Sequence, residues 1–240
     1  MKRALVVAGG AIADLGLLRS VAGVSNLIIA ANGGFRFLAK AGIRPSLVVG
    51  DLDSLSKSER DSLAGQAIQT RLHPRHKDKT DAELALEAAI EEGALRILCF
   101  GMLGKRLDQT LANVLLLSRD FGKRAQICFL DSGREVFSVR SKMEWRGTPG
   151  ERVSIIPLTP VVSGVTLKGL LYGLSGETLH QGSTRGISNI LVARRGSVAV
   201  EQGILLVLRD WRRVSKLSAF SSQLSAIGAG RLRESGSRTR

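Results

Sequence analysis

Several residue types are scarce in this chain, and each scarcity argues against a class of protein or site. The two cysteines, Cys99 and Cys128, lie in apolar runs outside any CxxC or Cys/His cluster, which argues against structural zinc and predicts buried thiols in a reducing compartment. Aromatic residues make up only 4% of the sequence, too few for a surface that stacks on single-stranded nucleic acid. No apolar run reaches the roughly 18 residues that a membrane span needs, so we expect a soluble cytoplasmic protein with no membrane partner.

Acidic residues are outnumbered, with 21 Asp and Glu against 35 Lys and Arg, which gives a formal net charge of +14. A basic balance of this size is typical of proteins that meet polyanions such as nucleic acid, anionic membranes or phosphorylated substrates. The last stretch of the chain is rich in Arg, Ser and Gly, and we predict a basic, partly disordered tail over 210–240. Because the rest of the chain is also basic, the tail is not the only source of the charge.

The first half of the chain alternates short apolar runs with amphipathic segments. Strands are predicted at Ala4–Ala8, Leu27–Ala31, Leu47–Val49, Ile68–Leu72, Ile97–Phe100 and Ile127–Leu130. Helices are predicted near Asp14–Val21, Phe35–Ala41, Lys57–Leu63, Asp81–Glu92 and Leu107–Arg119. Strands that are apolar on both faces and alternate with helices predict an α/β domain over 1–132, a mostly parallel sheet flanked by helices. Ligands of such sheets bind beyond the carboxyl ends of the strands.

The second half consists of closely spaced, β-rich runs that Gly and Pro separate. Strands are predicted at Glu135–Val139, Met143–Arg146, Val153–Ile156, Val161–Leu167, Leu170–Leu174, Ile190–Val192, Ser197–Glu201 and Ile204–Leu208. Such a pattern without helices predicts a C-terminal all-β sandwich domain over 133–209.

Two carboxylates follow the apolar run 46–49 directly, in the segment Gly50-Asp51-Leu52-Asp53-Ser54. Residues i and i+2 of an extended chain share a face, so Asp51 and Asp53 point the same way if that geometry continues. Close carboxylates repel unless a proton or cation lies between them, and Mg²⁺ prefers such oxygen ligands. The alternative is a strand-to-helix turn in which Asp and Ser side chains bond the backbone. Taken alone, this segment favours the turn.

A second polar segment, Lys77-Asp78-Lys79-Thr80-Asp81-Ala82-Glu83, opens the predicted fourth helix. Thr80 followed three residues later by Glu83 is the pattern of a capping box. Asp81 then lies in the first turn, where the helix dipole favours an anion. Either Asp81 only supports the start of the helix, or it is a third carboxylate near a metal while Lys77 or Lys79 meets phosphate.

Two glycine-containing segments also follow predicted strands, Asn32-Gly33-Gly34 and the stretch from Gly101 to Asn113. Glycines at these positions allow close approach of the backbone to a phosphate, and helix N–H groups would face it. Arg106 adds a planar fork that suits phosphate oxygens. Neither a GxxxxGK[ST] P-loop nor a GxGxxG motif is present, so each segment alone is weak evidence and is also compatible with an ordinary turn.

Together these segments resemble thiamine pyrophosphokinases over about residues 4–208. The matching segments are Gly50–Ser54, Lys77–Asp81, Gly101–Asn113, Ser154–Leu158, Gly164–Leu170 and Gly186–Asn189. Each segment alone is weak evidence, but their order and spacing together are specific. The resemblance implies an α/β catalytic domain, a C-terminal β-sandwich and a homodimer with sites between subunits. It also implies transfer of pyrophosphate from ATP to the hydroxyl of thiamine, giving thiamine diphosphate and AMP.

The resemblance further implies roles for individual residues. Mg²⁺ would be held by Asp51, Asp53 and Asp81, which form the catalytic set together with Arg106 and Asp108. The ATP phosphates would meet Lys79 and Arg106, in a cleft that Asp108 and Asn113 also line. The other predicted binding residues are Asn32, Gly33, Thr80 and Tyr172, and Ser188 and Asn189 on the thiamine side. In this setting the aspartate pair is better explained as a Mg²⁺ anchor than as a turn.

The sequence departs from the pattern of the family at several of these places. Asn32 stands where an Asp is usual, Lys105 replaces a usual Gly, and Gln109 replaces a usual His. Tyr172 stands where a larger ring, commonly Trp, is often found, and it either stacks on a ring of thiamine or is an ordinary strand tyrosine. Two alternatives to the resemblance are another Mg²⁺-dependent, nucleotide-using transferase on the same scaffold and a basic nucleic-acid-binding protein.

Overall fold

The computed structural model of the chain describes residues 1–104, 106–131 and 133–211. The chain divides into two compact units. Of the described residues, the first unit contains those of Met1–Ser138 and Leu206–Leu208, and the second contains Val139–Leu205 together with Arg209, Asp210 and Trp211. Lys105, Ser132 and most of the predicted basic tail lie outside the described residues.

The first unit is built on a mostly parallel sheet, as the doubly apolar strands predict. Its strands are β1 (Arg3–Val7), β2 (Leu27–Ala31), β3 (Leu47–Gly50), β4 (Gln69–Leu72), β5 (Arg96–Phe100), β6 (Gln126–Asp131) and β7 (Arg134–Val139). The spatial order is β7-β6-β5-β1-β2-β3-β4. All neighbours run parallel except β7, which pairs antiparallel with β6. The carboxyl ends of β1 to β6 therefore share one edge of the sheet.

Helices connect these strands and supply the rest of the aliphatic core. They are α1 (Leu15–Ala22), α2 (Phe35–Lys40), α3 (Lys57–Gly65), α4 (Asp81–Glu91), α5 (Leu107–Leu116) and α6 (Phe121–Arg124), with a single 3₁₀ turn at Asn32–Gly34. Helix α4 packs against β1, β2 and β3, and it buries Ala85, Leu86 and Ala89 completely. The first residue of α4, Asp81, is consequently held close to the ends of these strands.

The second unit contains antiparallel β-structure. Its strands are β8 (Lys142–Arg146), β9 (Arg152–Pro157), β10 (Val161–Lys168), β11 (Leu174–His180), β12 (Asn189–Ile190), β13 (Arg195–Ala199) and β14 (Leu205–Asp210), of which Leu206–Leu208 group with the first unit. Four strands form a sheet in the order β11-β10-β13-β8, and β12 pairs with β9. The predicted fold class, α/β followed by all-β, is thus confirmed.

One predicted strand of this unit is wrong. Leu170–Leu174 is not a strand, because Gly169 with φ +76° ends β10 and the chain bends before β11 begins at Leu174. Strand β11 has the sequence LSGETLH and is largely exposed at the edge of its sheet, so it lacks the apolar alternation that would reveal it.

The first unit extends further along the chain than the domain boundary predicted after residue 132. Strand β7 pairs with β6 and so belongs to the first sheet, and the division falls after Ser138. Within the described parts of the chain, no helix is both long enough and apolar enough to span a membrane.

Candidate active site

Three carboxylates surround the side-chain amide of Asn32 at the carboxyl edge of the parallel sheet. The Nδ2 atom of Asn32 donates to Asp51 Oδ1 at 2.8 Å and to Asp53 Oδ1 at 3.1 Å. It also donates to Asp81 Oδ2 at 2.9 Å. The hydroxyl of Ser54 donates to Asn32 Oδ1 at 2.7 Å, which identifies the end of the amide that faces the carboxylates. The structure thus brings together the three acidic residues that the sequence analysis assigned to the metal.

A tight turn, rather than a continued strand, aims the first two carboxylates at a common point. Leu52 has φ +60°, and the backbone N–H of Asp53 donates to Asp51 Oδ1 at 3.1 Å. Gly50 has φ +142°, and a Cβ atom there would lie 3.0 Å from both Asn32 Cβ and Asp81 Oδ1. Only glycine therefore leaves room for the cluster. The side-chain-bonded turn and the shared acidic site, which the sequence left as alternatives, are both present.

Asp81 reaches the cluster because α4 begins at that residue. The Thr80 hydroxyl oxygen accepts from the backbone N–H of Glu83 at 3.2 Å and so caps the helix, as the Thr/Glu spacing predicts. The carboxylate of Glu83 pairs with Arg119. Thr80, predicted as a binding residue, therefore has a structural role at the helix start.

Lys77, which the sequence offered with Lys79 as a possible phosphate ligand but which was left out of the predicted binding residues, lies among the carboxylates. Its Nζ atom is 3.5 Å from Asp51 Oδ2 and 3.0 Å from Asp81 Oδ1, and its side chain is only 15% exposed. Burial alone would lower the pKa of Lys77, but the nearby carboxylate of Asp81, joined by that of Asp51, raises it above its ordinary value. Burial would likewise raise the pKa of Asp51, but the bonds to Asp53 and the charge of Lys77 lower it.

The cluster has the chemistry of a site for a hard cation. Carboxylate oxygens are the ligands that Mg²⁺ prefers. Asp81 Oδ1 is buried without a hydrogen-bond donor, since Lys77 approaches it at ion-pair distance but not in hydrogen-bond geometry. As the side chains stand, no three Asp, Glu, His or Cys residues in the described ranges enclose a point that could hold an ion. In this cluster the Asn32 amide and the Lys77 ammonium lie between the carboxylates instead.

Lys79, predicted to meet phosphate, points to a different partner. Its Nζ atom lies 2.8 Å and 2.9 Å from the two carboxylate oxygens of Glu87, two turns further along α4, on the exposed surface. Such a pair is worth little in water, so the ammonium remains available to an incoming anion. Lys77 and Lys79 are only two residues apart, and the sequence offers no local signal that separates them.

The loops after β1 and β5 meet where the order of the strands reverses. The chain runs from β1 to β2, β3 and β4 on one side, and β5 and β6 lie on the other. The N–H of Gly10 donates to Gly101 O at 3.0 Å. A Cβ atom at Gly101, whose φ is +70°, would lie 2.3 Å from Ala8 O. Ligands of open α/β sheets bind at such a reversal, beside the carboxyl ends of the strands.

The predicted phosphate-binding segment continues from this loop into α5. Arg106 Nη2 lies 2.5 Å from Asp108 Oδ2, and both side chains are mostly exposed. Asn113 is buried, and its Nδ2 atom donates to Met102 O at 2.8 Å. Asn113 therefore holds the loop, while Arg106 and Asp108 pair with each other.

The remaining predicted site residues divide between the two units. Gly33 follows Asn32 directly, and a Cβ atom there would lie 3.0 Å from the Ser54 hydroxyl. Tyr172 and Ser188 are exposed in the second unit, whereas Asn189 beside them is buried.

The loop that carries Asp53 is supported by an ion pair whose contribution to stability should depend on pH. Arg36 donates to Ser54 O at 2.8 Å and to Glu59 at 3.0 Å. The bond from Arg36, followed by that from the Ser56 N–H, lowers the pKa of Glu59 from 4.5 to about 2. A depressed folded-state pKa stabilises the protein above the unfolded-state pKa, and this stability is lost as the pH falls from 4.5 towards 2.

We therefore expect Glu59→Gln to destabilise the protein by about 1 kcal/mol near neutral pH, as is typical of a partly exposed pair. The difference should shrink as the pH is lowered, because the wild-type carboxylate becomes protonated. Urea unfolding of both proteins at a series of acidic pH values measures it. A difference that stays constant down to about pH 3 would contradict the assigned pKa shift.

Comparisons with known proteins agree with this geometry. Residues 18–129 match the family model "Thiamin pyrophosphokinase, catalytic domain", and residues 139–205 match "Thiamin pyrophosphokinase, vitamin B1 binding domain". The thiamine pyrophosphokinase of Bacillus subtilis (strain 168) is 31% identical over 215 residues, which are 88% of this chain and 99% of the relative.

Solved structures give the same result. A crystal structure of thiamine pyrophosphokinase from Bacillus subtilis has a TM-score of 0.77 at 30% identity, covering 88% of this chain and 99% of that one. The enzyme from Geobacillus thermodenitrificans has a TM-score of 0.76 at 32% identity, covering 89% and 99%. The two family models cover the α/β part and the all-β part in turn, and both solved structures match this chain over 99% of their own length. The chain therefore belongs to the thiamine pyrophosphokinase family.

Proposed function

We propose that this protein transfers the pyrophosphate group of ATP to the hydroxyl of thiamine, giving thiamine diphosphate and AMP. The observation that carries the proposal is the convergence of Asp51, Asp53 and Asp81 on one point at the carboxyl edge of the sheet. Phosphoryl-type transfer requires positioning and neutralisation of charge more than a covalent intermediate. An acidic cluster for a cation, with basic side chains nearby, suits that requirement.

The cation would be Mg²⁺, held by oxygens of Asp51, Asp53 and Asp81. When bound, it would supply positive charge to the oxygens of the ATP phosphates. The buried Asp81 Oδ1, which has no hydrogen-bond donor, supports this assignment. Lys77 has to leave at least one of its two carboxylates for the ion to enter, and its ammonium is then free to meet a phosphate.

Arg106 and Lys79 are the other proposed phosphate ligands. Both are paired at the surface with a single carboxylate, Asp108 and Glu87 respectively. Exposed pairs of this kind exchange partners at small cost, and a polyanion is a stronger partner than one carboxylate. Arg106 also stands directly before α5, where the N–H groups of the first helical turn favour an anion.

We propose that the second unit, which matches the vitamin B1 binding domain over residues 139–205, binds thiamine. Tyr172 is 66% exposed, as a ring that stacks on a substrate would be. Ser188 is exposed beside the short strand β12, and its φ of +58° turns the chain sharply there. Its hydroxyl is suited to a polar group of thiamine.

We also propose a homodimer in the cytoplasm as the working form. Helix α5 exposes Leu107, Leu111 and Leu115 at four-residue spacing, with 68%, 55% and 54% of each accessible. One helix face of this kind is typical of a surface that a second copy covers. Both cysteines are free and buried, which suits a reducing compartment.

The activity is tested with the purified full-length protein, ATP, thiamine and Mg²⁺. We expect thiamine diphosphate and AMP to form in equal amounts, and neither to form when thiamine or Mg²⁺ is left out. AMP formation that requires an acceptor other than thiamine would instead identify a different transferase on this scaffold. The absence of thiamine diphosphate from the complete mixture would refute the proposal.

Lys77 gives a test of the cation site that does not depend on turnover. Without divalent cations, Lys77→Met should lower the Tm by about 4 °C, because the carboxylates lose a partly buried counter-charge worth roughly 1–2 kcal/mol. Adding Mg²⁺ should raise the Tm of this variant more than that of the wild type, since the ion no longer competes with the ammonium. Thermal unfolding in EDTA and across a Mg²⁺ titration measures both effects.

The matched control is Lys79→Met, which removes the same charge two residues away. Lys79 is paired only at the surface with Glu87, so its variant should resemble the wild type in both the Tm and the response to Mg²⁺. If Lys77→Met also behaved like the wild type, Lys77 would not compensate the cluster.

A further inference from the structure

Asn189 is a polar side chain buried in the second unit, where only 2% of it is exposed. Its Oδ1 atom accepts from the backbone N–H of Tyr172 at 3.0 Å and from that of Ile190 at 2.9 Å. Its Nδ2 atom donates to the backbone oxygen of Tyr172 at 2.7 Å. One side chain therefore bonds both backbone groups of the same distant residue, Tyr172.

Tyr172 has no regular secondary structure of its own to hold it. It lies at a bend between β10 and β11, with Gly169 and Gly173 on either side. The bends around it are tied to the strand region opposite, because Leu171 N donates to Ile190 O at 2.8 Å and Val192 N donates to Gly169 O at 2.9 Å. At position 172 itself, the bonding partner is the Asn189 side chain.

The ring held in this way is exposed next to other apolar side chains. Tyr172 is 66% accessible, and its neighbours across the bonded segments, Leu171, Ile190 and Val192, are 53%, 38% and 52% accessible. An exposed ring on a fixed backbone binds a flat ligand with less loss of conformational entropy than a ring on a mobile bend. Asn189 thus fixes the backbone from which the Tyr172 ring projects, while its own side chain is buried from solvent.

We propose that Asn189 is a positioning residue that acts through Tyr172 and does not itself touch the substrate. Sequence reasoning grouped Ser188 and Asn189 together on the thiamine side. The geometry gives the two residues different roles, because Ser188 is exposed whereas the buried Oδ1 atom of Asn189 accepts from two backbone N–H groups. The inference rests on the proposed function for the identity of the ligand, and on the hydrogen bonds alone for the action on Tyr172.

A double-mutant cycle separates positioning from direct contact. We expect Asn189→Ala to raise the KM for thiamine about tenfold, with kcat and the KM for ATP changed by less than about twofold. Tyr172→Ala should raise the KM for thiamine at least as much. In the Tyr172→Ala background, the Asn189 substitution should then have no further effect, since the residue acts only through the lost ring. Additive effects of the two substitutions would overturn the proposal.

A spectroscopic measurement tests the same inference without catalysis. Tyr172 is the only tyrosine of the chain, so incorporation of fluorotyrosine gives a single fluorine NMR signal. We expect Asn189→Ala to shift this signal towards that of free fluorotyrosine and to narrow it, because the bend gains freedom. An unchanged fluorine signal would refute the positioning role of Asn189, whether or not thiamine is the substrate. If the protein then still formed thiamine diphosphate, the proposed function would stand without the positioning role.

Asn189→Asp is the second variant, in case the alanine variant does not fold. It keeps the shape and the oxygen that accepts from Tyr172 and Ile190, but it loses the donated bond to the Tyr172 oxygen. Because the carboxylate would face the Tyr172 oxygen without a donor, we expect the fluorine signal and the KM for thiamine to change in the same direction as in the alanine variant. Values equal to those of the wild type would show that the donated bond does not hold the ring.

Discussion

Replacing Asp51 with asparagine is expected to lower the turnover number by about a hundredfold or more, while the protein stays folded. Asparagine keeps the oxygen that accepts from Asn32 and from the Asp53 N–H, so the turn survives. It removes one negative charge from a cluster of three carboxylates, which relieves repulsion in the absence of a cation. The loss therefore falls on cation binding and on neutralisation of the phosphate charge rather than on folding.

Steady-state kinetics measure the expected fall in turnover number, and thermal unfolding of the same preparations checks that the variant stays folded. Asp78→Asn is the matched control, because Asp78 lies in the neighbouring loop, is exposed, and should leave turnover unchanged. A raised Mg²⁺ requirement in the Asp51 variant, together with its low turnover, would link the loss to the ion. Near-normal turnover would remove Asp51 from the proposed metal site.

Replacing Glu151 with leucine is expected to destabilise the second unit by about 3–5 kcal/mol, because the buried ion pair between Glu151 and Arg209 is broken. Arg209 and Glu151 are 1% and 4% exposed, and Arg209 Nη2 lies 3.1 Å from Glu151 Oε2. The guanidinium also stacks over the Trp145 ring at 5.3 Å. The other carboxylate oxygen of Glu151 accepts from Thr148 N at 3.0 Å, and this bond is lost as well.

Thermal unfolding should show this change as a fall in Tm of about 10 °C. Glu144→Gln is the control, since the Lys142–Glu144 pair is exposed on both sides and its removal should not change the Tm measurably. The double variant Glu151→Leu with Arg209→Met should recover much of the loss, because apolar replacement of both partners removes both charges of this buried pair. A single variant as stable as the wild type would show that the pair does not stabilise this unit.

The sequence predicts the scaffold well because its signals there are local. Strands such as Ala4–Ala8 are apolar on both faces, and this pattern arises only when a sheet is covered on both sides. Polar residues that follow such strands, such as Asp51 and Asp53, must then lie at one edge of the sheet, whereas Asp81 was assigned with them through the resemblance to the family. Thr80 and Glu83 predict the start of α4 by the same kind of short-range chemistry.

Other features depend on long-range geometry that no local pattern encodes. Lys77 and Lys79 have the same chemistry in one loop, and the direction of each side chain depends on how the loop meets β3 and α4. Asn189 could be named as a site residue from its motif. That it faces inward, to the backbone of Tyr172, depends on a contact between residues 17 positions apart. The edge strand β11 was missed because an exposed strand does not need an apolar face.

The charges of the cluster formed by Asn32, Asp51, Asp53, Asp81 and Lys77 also bear on how many divalent cations we expect it to bind. The three carboxylates and the Lys77 ammonium carry two formal negative charges in all, the charge of one divalent cation, and the exposed Arg75 guanidinium lies 3.8 Å from Asp53 Oδ2. An aspartate in place of Asn32, as is usual in the family, would leave one charge over and invite a second cation. With Asn32 in this place, one Mg²⁺ in the proposed site would offset the carboxylate charge as long as Lys77 stays beside the cluster, and the site would then not repel an ATP triphosphate. The expected stoichiometry without nucleotide is therefore one ion per chain.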